Sequence, residues 1–166
     1  MNLTEVLLMQ VNEGHRMLDA VIADVTPELL AWTPPSTTNA IGLTYMHAVG
    51  SEDGFIQRLF QGKPLLWESE GWGAKLGIAV PPRGWDNLKT IQLDLAVFRA
   101  YEQAVFAAAN AYVSAVTPEE LDRTVSFRGR DMKLGQVLAI MISHTTGHAG
   151  EIAALKGVQG AKGLPY

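Results

Sequence analysis

The 166-residue sequence contains no cysteine. That absence removes disulfides, thiolate metal ligands and a cysteine nucleophile together, so any bound metal must be held by nitrogen and oxygen. Charge is sparse as well. Asp, Glu, Lys and Arg make up 18% of the residues, and the formal net charge is −4. A nucleic-acid binder needs a local surplus of Lys and Arg, and the densest basic run, Arg123 to Lys133, is diluted by Asp131. This argues against nucleic acid as a partner. No apolar run is long enough to span a bilayer: the longest, Ala104 to Val116, is broken by Asn110 and Ser114. No membrane partner is expected. The start Met1-Asn2-Leu3-Thr4-Glu5 lacks the basic segment of a signal peptide, so a cytoplasmic location is expected.

What the chain does have is core-forming material, at 48% hydrophobic residues. Residues 1–166 suffice for one domain with a sizeable core. Four long segments carry helical periodicity. The first is expected from about Thr4 to Asp24, with Asn2 as cap, Glu5 completing a capping box, and a seam of Leu7, Val11, Gly14, Leu18, Val21 and Val25. The second is expected from Asn39 to Phe60, ending at Gly62. The third should start after Asp86 and run to Val116, with Ile91, Leu95, Phe98, Val105, Ala109, Tyr112 and Val116 at helical spacing. The fourth should run from Lys133 to Lys156, with Gly157 as its stop. Thr26-Pro27-Glu28 and Thr117-Pro118-Glu119 each read as a helix start, with Thr as cap and Pro at the first helical position. Thr124 to Phe127, turning at Arg128 to Asp131, suggests one short strand pair. The expected fold class is all-α: a four-helix bundle with a minor strand pair before the last helix.

The connection from Gly62 to Asp86 holds five Gly, three Pro and three of the four Trp. A link that long is usually functional, and Trp67, Trp72 and Trp85 are too apolar to leave in water. They are expected to roof a pocket or form an oligomer contact, and a homodimer stays open.

The chemistry lies in the histidines. The seam of the fourth segment reads Leu134, Val137, Met141, His144, His148, Ile152, Leu155, which places two imidazoles one turn apart on a face expected to be buried. Unpaired buried imidazoles are costly, and a divalent ion answers that cost. His47, on the second segment, lies at about the same depth, within about one turn or 5 Å. Three histidines at one level of a small core point to a metal, with binding expected to weaken as pH falls through about 6.5. His15 lies beside the seam of the first segment and is expected to be a flank or pocket residue rather than a ligand. Glu151 is either a carboxylate orienting His148 or a half-exposed surface group. Glu102 interrupts an apolar seam and is expected to face solvent. Glu52 and Asp53 should point well away from His47, while Gly50 and Gly54 would let another helix come close.

The segment His144-Thr-Thr-Gly-His148-Ala-Gly-Glu151-Ile152, together with Asn39 to Gly62 containing His47, resembles the DinB-like (DinB/YfiT) superfamily of four-helix metal-binding proteins. The resemblance covers nearly the whole chain. It implies metal ligands at His47, His144 and His148 and a divalent ion, most often nickel or zinc. It also implies the company of a low-molecular-weight thiol such as mycothiol or bacillithiol, which some relatives use as transferases or isomerases. Glu151 stands where many relatives have Gln. Two functions follow as alternatives. One is an enzyme, a thiol transferase or a hydrolase-like catalyst acting on a small-molecule substrate at an open metal position. The other is a non-catalytic, stress-associated bundle that holds a metal or small ligand.

Overall fold

Asn2 and Glu5 start the first helix as their spacing predicts. In the computed structural model, which describes residues 1–35, 39–87 and 92–164, helix α1 spans Leu3–Ile22. The Asn2 side chain accepts from the Glu5 amide at 2.9 Å, and the Glu5 carboxylate accepts from the Asn2 amide at 2.9 Å. Both Thr-Pro-Glu segments open short helices, α2 (Pro27–Ala31) and α7 (Pro118–Asp122), with each threonine hydroxyl accepting an amide of the first turn. The second long helix, α3 (Ile41–Asp53), widens into a π-helical stretch over Gly54–Phe60. Two short helices follow, α4 (Leu66–Ser69) and α5 (Trp72–Leu76), then a 3-10 turn over Pro82–Asn87.

The third long helix begins later than its periodicity suggests. Helix α6 spans Leu95–Ala115 because Asp94 caps it, accepting from the amides of Ala96 and Val97. The expected seam residue Ile91 lies outside the described residues. Strands β1 (Thr124–Phe127) and β2 (Arg130–Lys133) pair antiparallel, Thr124 opposite Lys133 and Phe127 opposite Arg130. Helix α8 spans Leu134–Val158 and passes through Gly157. Its stop is Gly160, which takes the left-handed conformation at φ +76°, while Ala161 donates to the Lys156 carbonyl at 3.0 Å. A glycine inside a helix costs only about 1 kcal/mol, so Gly157 alone does not end one.

The four long helices pack pairwise, α1 against α6 and α8, and α3 against the same two. The order around the core is therefore α1, α6, α3, α8, so the chain passes diagonally from α1 to α3 and again from α6 to α8. No helix among the described residues is long and apolar enough to cross a membrane. At the far end of α8 the buried Lys156 ammonium donates to the Val21 carbonyl at 2.9 Å and pairs with Asp24, fastening α8 to the end of α1.

The tryptophan-rich connection folds onto α3 and α6. Asp53 starts it: its carboxylate accepts from the Leu66 and Trp67 amides at 3.0 and 3.1 Å and from the Tyr101 hydroxyl at 2.8 Å. Trp67, Trp72 and Trp85 are all buried. Their ring partners are Tyr101, Phe98 and one another, not the histidines. The expected pocket roof is thus a wall of the core. Gly50 admits this wall rather than another helix, since a β-carbon there would lie 2.6 Å from Trp85 Cζ3 and 2.9 Å from Pro82 Cβ. At Gly54 nothing among the described residues lies within 4 Å of such a β-carbon.

Glu102 does not face solvent. It is fully buried on α6, and among the described residues neither carboxyl oxygen has a hydrogen-bond partner. Burial pushes its pKa up to about 8, with the nearby Tyr45 hydroxyl pulling the other way. The apolar positions around it, Phe98 and Val105, fix the phase of α6 and leave Glu102 no rotation to water.

Two outcomes follow for stability. Gly50→Ala should destabilise by about 1–3 kcal/mol through overpacking, and Gly54→Ala should be neutral or slightly stabilising. Thermal unfolding of the two variants checks this, and equal effects would contradict the packing described. Between pH of about 4.5 and about 8, Glu102 keeps a proton in the folded state that the unfolded chain has released. The folded state then binds more protons, so stability falls as pH rises through that window. Glu102→Gln should match wild type near about pH 5 and exceed it near about pH 9. Parallel Tm-against-pH curves would show that Glu102 is not held neutral.

Candidate metal centre

Helix α3 brings His47, and helix α8 brings His144 and His148, to one point. The Nε2 atoms of His47 and His144 are 3.1 Å apart, and those of His148 and His144 are 3.2 Å apart. One nitrogen from each of the three lies within 4.8 Å of the others, and all three side chains are half-buried. A tetrahedral ion with metal–nitrogen bonds of about 2.0–2.1 Å spaces its nitrogens by about 3.3–3.4 Å. The two separations from His144 are close to that spacing, and the third pair lies within 4.8 Å.

The protonation pattern fits too. His148 Nδ1 is 2.8 Å from Glu151 Oε2. A carboxylate accepts there, so Nδ1 carries the proton and the lone pair of Nε2 points into the centre. Glu151 therefore orients a ring of the centre, although its side chain is 38% exposed. His144 is held neutral far into acid. Burial pushes its pKa down to about 4, with the charges of His148, His47 and Arg128 acting in the same direction. Proton competition at His144 therefore sets in near pH 4, well below the ordinary histidine range.

The two histidines of α8 do not occupy the buried seam. The positions that face the core are Met141, Thr145, Ala149 and Ile152. The imidazoles lie one position round the helix, at its edge, which leaves them accessible. Thr145 is the residue that the expected seam missed. Its hydroxyl donates to Glu52 Oε2 at 2.8 Å, and Glu52 Oε1 lies 2.6 Å from His15 Nε2. All three side chains are buried, and His15 also stacks on Phe106 with ring centres 3.6 Å apart. His15 is thus not in the three-histidine group, as expected, but it is an interior hydrogen-bonding residue rather than a pocket wall. Glu52 and Asp53 do point away from His47, as their spacing indicates. The Glu52 layer divides the apolar core in two, with Val11, Ile56 and Met141 on one side and Leu18, Val49 and Ile152 on the other.

On the β1–β2 side the centre has an aromatic wall. The Phe55 ring lies 6.2 Å from His144, and Phe127 lies 5.5 Å from Phe55. Arg128 stands over Phe127 at 5.1 Å. Phe55 was not legible as part of this wall, nor Arg128 as the residue lying over it. The sequence signal for Arg128 was only the strand–turn–strand pattern, which fixes a turn and says nothing of what the turn faces. Glu102 belongs elsewhere, beside Tyr45.

A crystal structure described as the conserved protein of a locus from Enterococcus faecalis superposes with a TM-score of 0.79 at 17% sequence identity, over 96% of this chain and 99% of that one. At that identity the likeness speaks for the fold. No curated protein matches the chain. The sequence profile of the DinB superfamily, however, matches residues 10–152, a span that includes His15, all three converging histidines and Glu151. By that match the chain belongs to the DinB superfamily.

Proposed function

We propose that this is a metal-dependent enzyme, a four-helix bundle in which His47, His144 and His148 bind one divalent ion, nickel or zinc. The observation that carries the reading is the convergence of three Nε2 atoms at 3.1 and 3.2 Å, with one ring oriented by Glu151. Such an ion, held by three neutral imidazoles, supplies a Lewis-acid centre with at least one open position for a thiol or water nucleophile. The chain has no cysteine, so the sulfur of a thiol reaction would come from a low-molecular-weight thiol acting as co-substrate. The reaction class is transfer or isomerisation of a small molecule.

The residues of the chain divide the work. His47 and His144 present lone pairs, and burial keeps His144 free of protons at neutral pH. Glu151 takes the Nδ1 proton of His148 as a hydrogen bond and aims the opposite nitrogen. Phe55 and Phe127 keep water from one flank of the centre. The exposed edge of α8 leaves the other flank open to substrate.

Dialysed protein should take up about one zinc, nickel or cobalt ion per chain at neutral pH. His144→Leu should abolish uptake and stay helical, because a core of this size does not need the ion to fold. Bound metal should add only mass-action stability, about 2.7 kcal/mol at a hundredfold excess over Kd. Metal analysis, circular dichroism and Tm check all three, and the absence of uptake by wild type would end the proposal. Turnover with thiol and electrophile pairs, lost on chelation, tests the enzymatic half.

The Glu52 layer gives a separate outcome. Thr145→Val keeps the shape of the side chain but leaves a buried carboxylate oxygen unpaired, a loss of about 1–3 kcal/mol. Because Thr145 sits between two of the ligands, α8 should turn and metal affinity should fall about tenfold, as when outer partners of a metal site are removed. Thr145→Ser should restore both. Metal titration decides, and an unchanged Kd with lowered Tm would confine Glu52 to stability.

A further inference from the structure

The turn that joins β1 to β2 holds a residue which the turn itself disfavours. Arg128 and Gly129 have φ of +52° and +76°. A two-residue hairpin turn with both positions left-handed favours Asn-Gly or Asp-Gly, because a longer side chain pays a steric cost there. Among the described residues Arg128 is the only non-glycine with positive φ. Strain of that kind persists where something else requires the residue.

What Arg128 faces suggests the requirement. Its guanidinium lies over Phe127, Phe127 packs on Phe55, and Phe55 packs on His144, so the hairpin turn rests on the wall of the histidine centre. The side chain is exposed, and among the described residues no carboxylate pairs with it. The three imidazoles bring no negative charge, so a divalent ion among them keeps its full double charge and favours an anion. The Arg128 guanidinium, which caps the ring stack leading to His144, adds a planar fork that matches a carboxylate.

Resting on the metal reading above, we infer that Arg128 is a specificity residue that grips the carboxylate of a small molecule whose donor atom occupies the open position of the centre. The substrate class is then a carboxylate-bearing small molecule, not a neutral one.

Cobalt-loaded protein gives a readout that does not depend on turnover. Its visible spectrum is titrated with 3-mercaptopropionate and with 3-mercaptopropionamide, which share a sulfur donor and differ in the carboxylate. Wild type should prefer the acid by about tenfold or more, the range of a charge-assisted hydrogen bond. Arg128→Asn, a residue suited to the turn, should raise Tm, leave cobalt uptake and affinity for the amide unchanged, and cut the preference to the part that the charge of the ion alone supplies. Arg128→Lys should keep part of it. Equal affinities in wild type, or a preference undiminished in Arg128→Asn, would overturn the role of Arg128 while leaving the metal site intact. Failure to take up cobalt would overturn both.

Discussion

One buried carboxylate sets the geometry on which the rest depends. Glu52 of α3 is hydrogen-bonded to His15 of α1 and to Thr145 of α8, with all three side chains out of water. Such a polar cluster adds little net stability compared with apolar packing, but removing the Thr145 hydroxyl leaves a buried carboxylate oxygen unpaired, a loss of about 1–3 kcal/mol. The cost makes the arrangement selective. Apolar contacts between three helices tolerate sliding and rotation; a carboxylate that must reach two fixed partners does not. Since Thr145 lies between His144 and His148, the same bonds that register the helices also set the angle at which two imidazoles leave α8.

Helix α3 distributes several tasks over about two turns. His47 points to the centre, Gly50 to Trp85, Glu52 to α1 and α8, and Asp53 to the start of α4 and to Tyr101. At about 3.6 residues per turn these positions spread around the helix axis, so each can face a different neighbour. This explains why α3 is buried almost all round. It also explains why its sequence shows no clear apolar stripe, for there is no solvent face to alternate with.

Much of the chain was legible because its local signals were chemically specific. The Asn2–Glu5 box, the two Thr-Pro-Glu starts and the Thr124–Phe127 strand each involve groups that satisfy one another within a few residues. The three histidines were legible because imidazole is rarely placed repeatedly at one depth without reason. Longer-range features were not. Helical periodicity carried the third segment back to Ile91, but the Asp94 cap decides where α6 begins. Glu102 was assigned to water on charge alone, whereas Phe98 and Val105 fix the rotation of α6 and carry it inside. On α8, histidine and threonine compete for the seam one position apart, and only the placement of Glu52 on another helix settles that Thr145 goes inward.

The diagonal path of the chain has a consequence for when the centre comes into being. Two of its three imidazoles arrive on α8, which packs on α1 from the opposite end of the sequence. Joining those helices closes nearly the whole chain into a loop, the slow kind of contact in folding. A nascent chain that has emerged only through α6 displays His47 by itself and offers no chelate. On the metal reading proposed above, all three imidazoles can close on one ion only once residue 148 has been made and α8 has docked.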